Sequence, residues 1–228
     1  MTPAKQAAGA RAATLVTDGM RLGLGTGSTA ACALAAIGER IRDENLSVVG
    51  VPTSFAAERL ARQCGIPLST LDQTPHLDLA LDGADEVDPD LNLIKGRGAA
   101  HAREKVVATQ AERFVVLADP SKNVRFLGEK HVLPVEVMPM AVRPVMDLLE
   151  ALGAQPDVRM GQSKDGPVVS DQGLWILDAR FPNGIDDPPA LSQRLLMQPG
   201  VLDHGLFLDM ATDVLIGHPD GSVTHRTT

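Results

Sequence analysis

The strongest constraint on the fold is a repeating order in the first half of the chain. A short apolar run is followed by a loop of Gly, Ser, Thr or Asp, and then by a stretch with helical spacing. Arg21–Gly25 reads as a strand ending in a glycine turn, and Ser28–Arg42 as the helix after it. Leu46–Val51 and Ser54–Cys64 repeat the pair, with Gly65 just past the helix end. Leu77–Leu81 is an apolar strand running straight into Asp82-Gly83-Ala84-Asp85. Leu91–Ile94 reads as a short strand, Ala99–Glu112 as a helix and Phe114–Ala118 as a strand. Strands that alternate with helices build a parallel sheet with helices on its faces.

Near Lys130 the texture changes. Val132–Met138 reads as a strand, Val142–Leu152 as a helix, and Pro156–Met160 and Val168–Leu177 as strands. Pro189–Met197 follows as a helix and Val201–Leu208 as a strand. This βαββαβ order is the split arrangement of a ferredoxin-like module. Asp213–Ile216 is a last short strand that returns to the first sheet. The expected fold is therefore α/β: a Rossmann-like, mostly parallel sheet with flanking helices, formed by residues 1–130 and 206–228. A smaller ferredoxin-like α+β domain is inserted at 131–205.

At 228 residues the chain has room for one large domain or two small ones. Its formal net charge of −8 argues against nucleic acid and against an anionic membrane surface as partners. No apolar run reaches the length of a membrane span and no secretory segment opens the chain, so a cytoplasmic location is expected. Cys32 and Cys64 stand in no metal-ligand spacing and read as small core residues. An anionic small molecule would need a local positive site against this global field. That directs attention to helix N-termini and to the few lysines in a chain that mostly uses arginine.

Four loops carry candidate chemistry. Gly23-Leu24-Gly25-Thr26-Gly27-Ser28-Thr29 lies between a strand and a helix, where free N–H groups and the helix dipole favour an anion. It is neither a dinucleotide fingerprint, since Ser28 stands where a glycine is needed, nor a P-loop. It reads either as a phosphate site or as a tight turn with Ser/Thr capping. In the second loop, Asp82 and Asp85 flank a Gly83-Ala84 pair at a strand end, where α/β sheets place their ligands. Glu86, Asp88 and Asp90 beyond them read better as a solvated acidic turn. The carboxylates alone leave a divalent-metal site open, but no histidine or further acidic motif supports it.

The third loop, Lys95-Gly96-Arg97-Gly98, leads into a helix whose first turns carry Glu104. One turn away from Glu104 stand Ala100, His101, Val107 and Ala108, a mainly apolar face. Burial there raises a carboxylate pKa and the helix N-terminus lowers it, a balance suited to proton abstraction near neutral pH. The alternative is a glutamate that only complements the helix dipole. Lys122, in Ala118-Asp119-Pro120-Ser121-Lys122, belongs to the same edge of the sheet or is an ordinary turn lysine. No Gly-x-Ser-x-Gly elbow or Cys–His pair points to covalent catalysis.

Together these segments resemble the ribose-5-phosphate isomerase family of type A. The matching elements are Gly25–Thr29, Asp82–Asp85, Lys95–Gly98 with Arg103-Glu104-Lys105, and Ala118–Lys122. Leu133–Val137, Gly205-Leu206-Phe207 and Gly217–Gly221 also match, so the likeness runs through the chain in order. The resemblance implies interconversion of D-ribose 5-phosphate and D-ribulose 5-phosphate in the non-oxidative pentose phosphate pathway. It implies no metal, no cofactor, a pentose 5-phosphate as the small-molecule partner, and a homodimer.

Carried over by position, Thr26, Gly27, Ser28, Thr29 and Lys122 bind the substrate and its phosphate, with Lys5 as a further contact. Asp82, Gly83, Ala84 and Asp85 meet the sugar, the two aspartates assisting ring opening. Lys95, Gly96, Arg97 and Gly98 line the reacting end, and Glu104 is the base. Arg97 departs from the glycine often found there. The competing classes are a sugar-phosphate deaminase on a similar fold and a non-enzymatic sugar-phosphate sensor. For the sensor, the chain offers no basic helix or spare module.

Overall fold

The computed structural model describes all residues, Met1–Thr228, and divides them into two compact units. The first comprises Met1–Ala84, Arg103–Asn123 and Asp209–Thr228. It contains α1 (Pro3–Ala13), β1 (Arg21–Leu24), α2 (Ser28–Glu44), β2 (Val49–Pro52), α3 (Phe55–Gln63) and β3 (Leu77–Gly83). The chain leaves this unit and returns along a helix at His101–Thr109. It then adds β6 (Ala111–Ala118), β12 (Asp213–Gly217) and β13 (Val223–Thr227), where the missing numbers belong to the second unit.

The six strands lie in the order β13-β12-β6-β3-β1-β2. All neighbours are parallel except the last hairpin, β12 with β13. Alternation along β1 assigns its faces. Leu22 and Leu24 join a core with Ala8 and Ala12 of α1, Leu34 and Ile37 of α2, and Leu79 and Leu117. Gly23 faces the other way, toward Val107. Each leucine buried this fully contributes about 1.5–3 kcal/mol relative to exposure.

The second unit comprises Asp85–Ala102 and Val124–Leu208. It holds β4 (Glu86–Val87), β5 (Leu93–Ile94), the start of α4 (His101–Thr109), β7 (Leu133–Val137), α5 (Val142–Ala151) and β8 (Gln155–Val158). β9 (Trp175–Arg180), α6 (Pro188–Leu196), β10 (Val201–His204) and β11 (Leu206–Phe207) complete it. From β7 to β10 the order is βαββαβ, and the antiparallel sheet runs β10-β7-β9-β8. This is the split βαβ arrangement. Leu133, Val135 and Val137 turn one face toward Val145 and Leu149 of α5 and Leu191 and Leu195 of α6.

The observed architecture is thus α/β, a mostly parallel sheet plus a ferredoxin-like module. The second unit is wider than the 131–205 segment expected from the pattern. β5 pairs with β4 on one side and β11 on the other in a three-stranded sheet, which draws residues 85–102 and 206–208 to it. The change of pattern at Lys130 marks where the module begins, not what pairs with it.

Local backbone accounts for several shifted elements. Ala99 has φ +57°, so α4 begins at His101 rather than Ala99, and β6 already starts at Ala111. Leu91 at φ +64° keeps β5 to Leu93–Ile94. The strand expected over Val168–Leu177 is interrupted by a turn in which Gly173 N–H donates to Ser170 O at 2.9 Å, and β9 begins only at Trp175. No helix is long and apolar enough to cross a membrane.

Candidate active site

Parallel strands bring their carboxyl ends to one edge, so the loops after β1, β2, β3 and β6 gather there. The chain passes from β1 to its neighbour β2 and then crosses to β3 on the other side of β1. The gap between β1 and β3 is therefore the switch point at which such sheets bind ligands. Asp82, 3% exposed, stands there. Its Oδ1 accepts the Thr26 amide at 3.0 Å and the Gly83 amide at 2.7 Å, which shapes the loop after β1. Gly25 is required at this turn, because a Cβ on it would collide with the Asp82 carboxyl.

Thr26 builds the loop rather than projecting from it. Its hydroxyl lies 2.8 Å from Thr53 Oγ1 and donates to Ser54 Oγ at 2.6 Å, while Ser54 caps α3 by accepting the Ala57 amide. Gly27 and Ser28, by contrast, are exposed at the N-terminus of α2. Thr29 follows in the first turn and is half-buried. Lys5 Nζ from α1 donates to Ser28 Oγ at 2.9 Å, placing a positive charge beside those free amides.

Lys122 ends a 3₁₀ turn after β6 that Asp119 caps through the Ser121 amide. Burial raises the Asp119 pKa, but bonds from Ser121 and the charges of Lys122 and Lys5 outweigh it and hold the carboxyl below its ordinary range. Two lysines and a helix N-terminus thus converge at one corner of this unit, a arrangement suited to a phosphate dianion. Glu104, in the first turn of α4, is buried at 6% exposure. Its neighbour Arg103 anchors the helix by donating to Pro52 O at 3.4 Å.

In the second unit Lys95 is 3% exposed, its amide bonded to Gly205 O and its Nζ 5.4 Å from the centre of the Phe207 ring. Asp85 donates its amide to Ile94 O and accepts the Arg97 amide on Oδ2 at 3.0 Å. Gly96 has φ +110°, and a Cβ there would lie 2.7 Å from His101 Nδ1. Arg97 and Gly98 are exposed at the tip. Arg159 reaches the same loop, donating to Gly96 O at 2.8 Å and Arg97 O at 3.0 Å. Asp85, Arg97, His131, Arg159, Asp178 and Arg180 line a cleft of about 500 Å³ within this unit.

The profile of ribose 5-phosphate isomerase A (phosphoriboisomerase A) matches residues 49–221. A ribose-5-phosphate isomerase A of Thermosynechococcus vestitus is 53% identical over 214 residues, covering 93% of this chain and 90% of its own. The chain belongs to the ribose-5-phosphate isomerase A family. The solved structure of ribose 5-phosphate isomerase A from Methanocaldococcus jannaschii matches with a TM-score of 0.93 at 46% identity over 98% of both chains. A D-ribose-5-phosphate isomerase in complex with phospho-erythronic acid matches with a TM-score of 0.95 at 44% identity, over 98% of this chain and 97% of that one.

For this member of the isomerase family, the structure gathers Thr26–Thr29, Asp82, Gly83 and Lys122 at one sheet edge of the first unit, with Ala84 next in the chain. It ties Asp85 to Arg97 in the second. The acidic turn is the main correction. Glu86 is fully buried, accepting the Lys130 and His131 amides at 2.6 Å each and the Gly128 amide at 2.7 Å. Asp88, 9% exposed, accepts the Asp90 and Asn92 amides, so only Asp90 remains a solvated carboxylate. Cys32 is buried as expected, whereas Cys64 is half-buried. Sequence reasoning missed Thr53, Ser54, Arg159 and Asp178. Ser54 carried a signal as a serine opening a helix; the arginine–aspartate pair carried none.

Proposed function

We propose that the chain interconverts D-ribose 5-phosphate and D-ribulose 5-phosphate, with Glu104 moving the proton. Ribose 5-phosphate opens to its aldehyde, and the Glu104 carboxylate takes the C2 proton. The electron pair forms the C1–C2 double bond of a cis-enediolate. Return of the proton to C1, with proton exchange between the two oxygens, gives the ketose. The observation that carries this reading is a carboxylate at 6% exposure on the first turn of α4, in a chain of this family. Burial favours the protonated acid and the helix N-terminus favours the carboxylate, so one group can both take and return a proton.

Negative charge develops on the C1 and C2 oxygens, where the Lys95 ammonium and the Gly98 loop amide stabilise it. Asp82 and Asp85 bind sugar hydroxyls and assist ring opening, flanking Gly83 and Ala84, whose small side chains admit the sugar. Gly27, Ser28, Thr29, Lys5 and Lys122 hold the phosphate, which is remote from the reacting carbons and supplies binding energy for the open chain. Thr26 serves through the loop it shapes. Phospho-erythronic acid, bound by a relative, supports this reading. Its planar carboxylate has the shape of an enediolate end, carried on a phosphorylated sugar backbone.

The reaction so written needs no metal and no cofactor. A cytoplasmic homodimer completes the proposal, and the acidic net charge of −8 argues against nucleic-acid and anionic membrane partners. The deciding test is conversion of ribose 5-phosphate to ribulose 5-phosphate by the purified chain in the presence of a chelator. Turnover is expected to persist. Its loss on chelation overturns the metal-free mechanism, and release of ammonia from an amino-sugar phosphate without pentose conversion overturns the isomerase reading. Light scattering after size exclusion reads the dimer.

A further inference from the structure

We propose that Arg159, held by Asp178, is a positioning residue for the isomerisation. It fixes the two peptide planes between Gly96 and Gly98 so that the Gly98 N–H is presented to the developing enediolate. The inference deepens the isomerase reading above and rests on it.

Arg159 follows β8 by one residue, and Asp178 lies in β9. Their contact is two-pronged. Arg159 Nε donates to Asp178 Oδ2 at 2.8 Å, and Nη2 pairs with Oδ1. The side chains are only 14% and 25% exposed, so the pair is largely shielded from water. The remaining nitrogen, Nη1, donates to both Gly96 O and Arg97 O. A guanidinium divides its donors in this way because its fork is planar and rigid; an ammonium on a flexible stem does not.

Peptide geometry carries the argument further. Gly96 C=O and Arg97 N–H belong to one trans peptide and point in opposite directions. Arg159 holds the carbonyl end and Asp85 accepts the amide end at 3.0 Å, so this plane is pinned from both sides by charged groups. In the next plane Arg159 holds Arg97 C=O, which turns the Gly98 N–H to the opposite side. Polarising a carbonyl strengthens the donor at the other end of the same peptide. A Gly-Arg-Gly segment with Gly96 at φ +110° has little intrinsic preference for one shape, so its order has to come from such outside bonds. A donor fixed in advance needs no reorganisation as charge appears.

Three variants of the full chain test the role: Arg159→Lys, Arg159→Met, and the double variant Arg159→Met with Asp178→Leu. The double variant removes the pair together and leaves no orphaned buried charge, so it stays folded if the single variant does not. The expected kcat loss is about 100-fold in the folded double variant, the size that a misplaced catalytic group produces. KM stays within about threefold, because the phosphate is held by other residues. Arg159→Lys recovers part of the rate by engaging one carbonyl. Amide hydrogen exchange at Arg97 accelerates in the Met variants. A folded double variant with kcat within about twofold of the parent, or a loss confined to KM, overturns the role. Unchanged exchange at Arg97 overturns it independently of turnover. An inactive parent chain instead overturns the isomerase reading, while the exchange arm still reports whether Arg159 orders the loop.

Discussion

Oδ1 of Asp82 receives the Thr26 amide at 3.0 Å and so joins the loop after β1 to the end of β3. This bond crosses the gap where the strand order reverses. One buried carboxylate therefore sets the shape of the loop that presents Gly27, Ser28 and Thr29, before any substrate arrives.

Asp82→Ala leaves the half-buried Thr26 and Gly83 amides without this acceptor. The expected cost is about 1–3 kcal/mol of stability. Gly25→Ala, which drives a methyl group into the Asp82 carboxyl, is expected to cost about as much through overpacking. Denaturant unfolding measures the stability change. Both variants are also expected to raise KM for the sugar phosphate, because the loop loses its shape.

Glu104→Gln keeps the shape of the side chain and removes its ability to take a proton. Turnover is expected to fall by about 10²–10⁴-fold with a normal circular dichroism spectrum, since a buried neutral amide is easier to accommodate than a carboxylate. Exchange of the substrate C2 hydrogen with deuterated water is expected to disappear together with turnover. Full exchange in this variant would remove Glu104 as the base.

The phosphate corner calls for a different signature. Lys122→Ala is expected to raise KM by about 10-fold or more, the size of a lost bond between charged groups, and to change kcat less. Lys5→Ala acts in the same direction through Ser28. Because Ser28 is exposed, added salt is expected to raise the parent's KM by screening. Initial rates against ribose 5-phosphate at several ionic strengths test both points.

The parts of the site that were legible in the sequence are those whose chemistry is local. Gly25–Thr29 announces a strand-to-helix turn by its glycines and hydroxyls, and Asp82 announces a strand end. Arg159 was silent because its partners are remote: it acts on Gly96, which stands 63 positions away in sequence, and on Asp178, 19 away. Charge alone misled for Glu86 and Asp88, since an acidic run looks solvated until the amides it accepts are known. α1 escaped notice because its buried face is made of alanines (Ala4, Ala8 and Ala12) rather than a stripe of large apolar residues. β13, with the sequence Val-Thr-His-Arg-Thr, is a mostly polar edge strand without clear alternation.

Glu136 offers a pH test whose sign is opposite to that of the buried Asp213. It lies at 1% exposure near the end of β7, bonded to the Ser170 hydroxyl. Burial raises its pKa, Ser170 opposes this, and the charges of Asp203 and Asp171 add to the rise. The folded state therefore binds this proton more tightly than the unfolded chain does, where the ordinary value is 4.5. Its contribution to stability is full below that value and is lost as pH rises through the folded one. Glu136→Gln removes the titration, so the variant is expected to melt above the parent at pH about 8, with the difference shrinking toward pH about 4. Asp213 runs the other way. Burial raises its pKa, but bonds from Arg113, Thr212 and His225 bring it below the ordinary 3.8. Its contribution is present above that value and lost as pH falls through the folded one. Asp213→Asn is thus expected to melt below the parent at neutral pH and to converge with it in acid. A melting series of both variants from acid to alkaline pH reads the two opposite slopes, and parallel curves would overturn the assignment.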